Sequence, residues 1–292
     1  MFHFADTSRD APSQEPACRV FRTAGQGAAR VSHGTGRAEK RIRCTARRAP
    51  SEDIGGVDEE FGQAMLKHVV VPIHRDGWKF VAIFAGVTIG LALLWAPLGW
   101  LGLLATAWCV YFFRDPPRVT PTRPDLVVSP ADGLIVSIVD VPPPPELDMG
   151  AVPVTRIGIF LNVFDVHINR TPIAGTIVKT HYHKGQFLNA SFDKASELNE
   201  RMAIRMVTPA GLTLAFVQVA GLVARRIVCH LVPDQVVAAG EKFGLIRFGS
   251  RTDVYLPAGW NALVVTGQRV VGGETVLADG RSTEPARQGL VH

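Results

Sequence analysis

"LVVSPADGLIVSIVDV", residues 126–141, decides the fold class. Two short β-branched runs flank Ser129-Pro130-Ala131-Asp132-Gly133, a cluster of turn formers in which proline fixes φ and Asp-Gly accepts a tight reversal. The same texture recurs downstream, in residues 155–183, 203–232, 241–257 and 261–278. Strand-length runs punctuated by Gly, Pro and Asp predict a mainly β domain, sandwich- or barrel-like with a few short helices, over residues 125–281. The polar stretch "NASFDKASELNERM", 189–202, predicts a loop or short helix over a site, and residues 282–292 read as a tail.

Upstream the texture changes. "RDPPRVTPTRP", 114–124, reads as a proline-rich linker, and before it Val81–Phe113 runs without one charged side chain. Such a run predicts a membrane-embedded segment. As one straight helix it would be about 50 Å long, against a hydrocarbon core of about 30 Å. Pro97, with Gly99 and Gly102 behind it, is the expected break; a hairpin, a re-entrant pair and a kinked, tilted helix all satisfy the length. Both flanks, residues 67–79 and 114–118, carry basic residues, which favours a hairpin with both ends on the cytoplasmic side of the cell membrane. Residues 65–113 are therefore expected to form the membrane-associated unit. Residues 1–64 show no lasting apolar period and predict a disordered extension; their scattered acids argue against a transit peptide and suit a start-site artefact.

The formal net charge of +5 suits an anionic partner surface without choosing between nucleic acid and lipid. Four cysteines without C-x-x-C or zinc spacing read as reduced thiols. Among titratable residues, Asp132 sits in a turn and His167 lies in a β-like run next-but-one to Asp165. His181 and His183 fall on one face of a strand as two metal ligands would, but no third ligand follows at fixed spacing, and no metal is expected.

"SPADG" (129–133), "FLNVFDVHINRTPIAG" (160–175), "HYHKGQFLNA" (181–190), "NERM" (199–202) and "GEKFG…FGS" (240–250), in that order, resemble the phosphatidylserine decarboxylase proenzymes of the short, membrane-associated bacterial type. The resemblance covers about residues 66–281. It implies a self-made cofactor: the Ser250 hydroxyl attacks the Gly249 carbonyl, the resulting ester eliminates, and position 250 becomes a pyruvoyl group that forms a Schiff base with the lipid amine. It also implies a β chain ending at Gly249 paired with an α chain from position 250 as a heterodimer, with higher oligomers left open. Glycine before the serine leaves the carbonyl unobstructed. Asp132 and His167 map onto the family's charge-relay roles beside Ser250, with His167 also expected to be the acid that protonates the substrate carbon. Longer members carry a second histidine where this chain has Arg170, so His167 could serve self-cleavage, turnover or both. His183, Phe187, Asn199 and Arg201 match substrate-binding positions, with Glu200 between the last two. The implied partner is phosphatidylserine in an anionic membrane, with no nucleic acid. Two rival readings are a membrane-tethered biotinyl/lipoyl-like adaptor and a His-metal hydrolase acting on lipid head groups; both predict an uncut chain.

Overall fold

The structure, a computed structural model, describes residues 71–190, 195–222, 226–247 and 249–290. The extension expected over 1–64 lies outside the described residues.

Two helices open the described chain, α1 (Trp78–Leu94) and α2 (Ala96–Phe112). They fold back on each other. Thr88 Oγ1 and Thr106 Oγ1 lie 2.9 Å apart across the pair. Gly99 faces Ala92 and Gly102 faces Thr88 so closely that an added Cβ would lie 2.7–2.8 Å from those side chains. Small residues at these positions let the helices approach, as in helix pairs packed in lipid. The break falls at Trp95, whose backbone is extended, and not at the expected Pro97. Proline is at home in the first turn of a helix, where its missing N–H has no partner to lose, so Pro97 starts α2. An Ile73–Arg114 bridge closes the open end of the hairpin. Along its sides Ile83, Val87, Ile89, Leu93, Trp100, Leu101 and Leu104 are exposed.

The rest is built on strands: β1 (Leu126–Val128), β2 (Gly133–Val141), β3 (Val154–Leu161), β4 (Ile168–Arg170), β5 (Gly175–His183), β6 (Arg201–Val207), β7 (Thr213–Ala220), β8 (Ile227–Cys229), β9 (Val236–Val237), β10 (Lys242–Ile246), β11 (Ser250–Tyr255), β12 (Arg269–Val270) and β13 (Val276–Asp279). A one-turn helix, α3 (Ala195–Leu198), occupies part of the polar stretch before β6. The main sheet has eight strands in the order β12-β2-β3-β11-β7-β6-β5-β9; β4-β10-β8 and β1-β13 form two smaller sheets. All pairings between these strands are antiparallel. The apolar core is built from inward residues of the main sheet, Ile135, Ile157, Ile177, Ile204, Phe216 and Val254 among them, closed by Phe243 and Leu277. A second cluster, with Leu147, Val217, Val219 and Tyr255, covers the sheet's other face. β11 is therefore buried along its whole length.

The hairpin is not a separate body on a tether. Its open end packs Cys109, Phe112 and Phe113 against Leu245 of β10 and Val228 of β8. Arg114, just past α2, donates to Phe164 O at 2.7 Å.

Candidate active site

Gly249 joins β10 to β11 with a φ of +67°, a left-handed conformation that glycine adopts without strain. Its carbonyl oxygen occupies the space that a Cβ on Gly221 would fill, 2.2 Å from that ideal position, and Ala190 Cβ lies 3.3 Å from the same point. Gly221 follows β7 directly, and β7 pairs with β11 through Ala220 opposite Ser250. The ladder thus brings two glycines distant in sequence into contact at one carbonyl. Ser250 opens β11, is fully buried, and its Oγ has no hydrogen-bond partner. A buried hydroxyl without a partner costs about 1–3 kcal/mol, which makes Ser250 Oγ an exception to be explained by chemistry.

His167 stands beside this bond. Its Nδ1 lies 2.9 Å from Asp165 O, and its Nε2 accepts from Gly249 N–H at 3.3 Å. A carbonyl on one side and an N–H on the other select the neutral tautomer with the proton on Nδ1 and a lone pair on Nε2. The ring is almost fully buried and packs on Phe112 of α2 with centroids 4.3 Å apart. Burial pushes its pKa down to about 4, the Asp165 carbonyl and carboxylate pulling the other way. Asp165 is fixed in turn by Asn162 N–H, 2.9 Å from Oδ2, and by Arg269.

The structure does not bring Asp132 into hydrogen-bond contact with His167, whose two ring nitrogens are taken by Asp165 O and Gly249 N–H. The Asp132 carboxylate accepts from Arg118 at 2.6 Å and from Gly272 N–H at 2.8 Å. Burial raises its pKa against the pull of Arg118. Arg170, at the position of the missing second histidine, donates to Gly240 O at 2.9 Å and to Pro116 O at 3.3 Å, and so binds the linker to the β domain.

Of the expected substrate contacts, Asn199 is buried and spends its amide on Leu188 N–H, Leu188 O and Ala220 O, pinning the 184–190 segment over β7. Arg201 pairs with Glu146 at 2.7 Å and with Glu197 O at 2.5 Å. Glu200 accepts from the Tyr182 hydroxyl. His183 ends β5 opposite Arg201, and Phe187 lies half-buried in the segment that Asn199 pins. His181 is exposed, and among the described residues no three His, Cys, Asp or Glu side chains gather.

Gly221, Phe112 and Asp165 complete the site and carry no local signal. Their roles depend on strand pairing and on the fold-back of the hairpin. Together these groups place an unpartnered hydroxyl next to a carbonyl and a neutral imidazole one residue away, an arrangement suited to attack of a side chain on its own backbone.

Residues 105–278 match the family model described as phosphatidylserine decarboxylase. Phosphatidylserine decarboxylase proenzyme from Paramagnetospirillum magneticum is 59% identical over 228 residues, 78% of this chain and 95% of that protein. The protein of the same description from Cereibacter sphaeroides is 56% identical over 225 residues, 77% of this chain and 97% of that one.

Proposed function

This chain belongs to the phosphatidylserine decarboxylase family, and on that premise we propose that it cuts itself between Gly249 and Ser250 to make the group with which it decarboxylates phosphatidylserine to phosphatidylethanolamine and carbon dioxide. The observation that carries the reading is the buried, unpartnered Ser250 hydroxyl beside the Gly249 carbonyl, with the His167 lone pair on Gly249 N–H.

His167 Nε2 exchanges its hydrogen bond from Gly249 N–H to Ser250 O–H and takes that proton as Oγ bonds to the Gly249 carbon. The C–N bond then breaks, and the imidazolium returns the proton to the Ser250 nitrogen, leaving an ester. Throughout, Asp165 O holds Nδ1–H and keeps the ring in place. Loss of the Ser250 α-proton expels the Gly249 carboxylate, and water converts the resulting enamine to a ketone with release of ammonia. The cradle fits such a group: position 250 is fully buried, and Gly221 leaves room for the neighbouring oxygen. Once formed, the pyruvoyl group supplies the electron sink that decarboxylation of an amino acid requires. His167, close to that position, relays a proton to the substrate carbon through Nε2, which must first take one from water because the resting ring carries its own proton on Nδ1. Asp132 acts at one remove, by fixing the 129–133 turn against Gly272 and Arg118.

The exposed apolar sides of the hairpin and the basic Arg75, Lys79 and Arg114 at its open end support insertion from the cytoplasmic side of the cell membrane, the charges staying at the head groups. Each helix of 17 residues is about 25 Å long, so the turn at Trp95 would end near the far side of the hydrocarbon layer.

Intact-mass measurement on the purified full chain should find two polypeptides, the shorter starting with pyruvate at position 250 and blocked to Edman degradation. Ser250→Ala should remain one chain. An active preparation containing only uncut chain would overturn the proposal.

A further inference from the structure

Arg226 and Arg247 stand opposite each other where β8 begins and β10 ends. Ile246 pairs with Ile227, and the next step of the ladder is Arg247 N–H to Arg226 O at 3.5 Å. Like charges facing across neighbouring strands repel, and neither arginine makes an ion pair with a described residue. Arg247 is half-buried, its Nε is buried without a hydrogen-bond partner, and its guanidinium lies 4.8 Å from the centre of the Phe80 ring of α1. Burial and Arg226 both lower its pKa, and Asp76 alone opposes them. An arginine pair held in this way is short of an anion. Its place is telling as well: three residues before Ser250, against the open end of the hairpin, where a lipid head group would meet the β domain.

We propose that Arg226 and Arg247 bind the phosphodiester of the lipid substrate, with Phe80 packed beneath the Arg247 guanidinium. This rests on the reading that phosphatidylserine is the substrate. In that lipid the phosphate is joined through the serine β-carbon to the carbon bearing the amine and carboxylate, so a phosphate held here places those groups toward position 250. Arginine's planar fork is suited to two phosphate oxygens at once.

The test uses the full, self-cleaved chain with phosphatidylserine in neutral detergent micelles. Arg247→Gln and Arg226→Gln should still cut themselves, since that reaction uses no lipid. Each should raise KM about tenfold or more, the range expected for a lost charge-assisted hydrogen bond, and raise it more than it lowers kcat. Arg247→Lys should recover part of the loss. Wild type should prefer the phosphodiester to its neutral methyl phosphotriester by about tenfold, and the double Gln variant should lose that preference. Inorganic phosphate should inhibit the wild type only weakly. Inhibition by phosphate as strong as the lipid's own binding would make this a general phosphate site and overturn the proposal. So would a KM defect seen only on anionic vesicles, which would mean bulk surface attraction. If Arg247→Gln fails to cut itself, the exposed Arg226 decides alone, and an unchanged KM and phosphotriester preference in Arg226→Gln overturn the proposal. A wild-type chain inactive on phosphatidylserine sinks the functional reading itself, before any substitution is made.

Discussion

Replacing Gly221 with alanine would set a methyl carbon 2.2 Å from Gly249 O, and a backbone carbonyl cannot yield as a flexible side chain could. The oxygen would have to turn, taking its carbon out of line with Ser250 Oγ. Displacement of reacting atoms by about 1 Å can cost roughly 100-fold in rate, so Gly221→Ala should cut itself at least that much more slowly. Gel densitometry of uncut chain over time would measure this, with thermal melting to show that the fold survives. Cleavage at the wild-type rate would remove Gly221 from the mechanism. The Gly249-Ser250 pair was legible in sequence because its neighbours resemble a known family motif. Gly221 was not, being one of 28 glycines, and its meaning comes from β7 lying beside β11. Asp165 stood out in sequence only as a neighbour of His167, and its role was hidden because its backbone carbonyl, not its carboxylate, holds the imidazole.

Among the elements, α2 contributes the wall of the site. Phe112 keeps water from His167, whose pKa falls from 6.5 to about 4 chiefly through burial. Because the folded value is depressed, the neutral ring stabilises the fold fully above pH 6.5, and that stability is lost as pH falls from there through 4. The loss amounts to about 3 kcal/mol at the acid end. A base must be neutral, so self-cleavage should be insensitive to pH down to about 5 and fall away near 4. Phe112→Ala should admit water, raise the histidine's pKa and move the acid limb up toward 6.5. Stopped-time assays across pH would show it, and an unmoved limb would mean that the aromatic wall does not set the basicity. That the apolar run is helical and interrupted was legible from sequence alone, the interruption from Pro97. The turn one step earlier, at Trp95, follows from proline's preference for a helix start. That the same run also packs against a histidine could not be read from it, because hydropathy says nothing of which end meets which strand.

For the whole molecule, the cut would divide two sheets, the eight-stranded one and the β1-β13 pair. β11, β12 and β13 would belong to the short chain, and all their partner strands, β3, β7, β2 and β1, to the long one. β11 is paired on both sides over six residues and fully buried, so the two chains should co-elute on gel filtration in detergent and separate only under denaturing conditions. Dissociation under mild conditions would contradict this. The mainly β class was readable from turn-punctuated runs, while the strand order was not, since β11 inserts between β3 and β7 from far along the chain.

The interior place of β11 also bears on supply. A reactive group at its first residue could not be exchanged as a diffusible cofactor is, because replacing it would mean withdrawing a central strand. Each molecule would carry a single charge of catalytic capacity for its lifetime, and a copy spoiled by side reaction could be restored only by translating another.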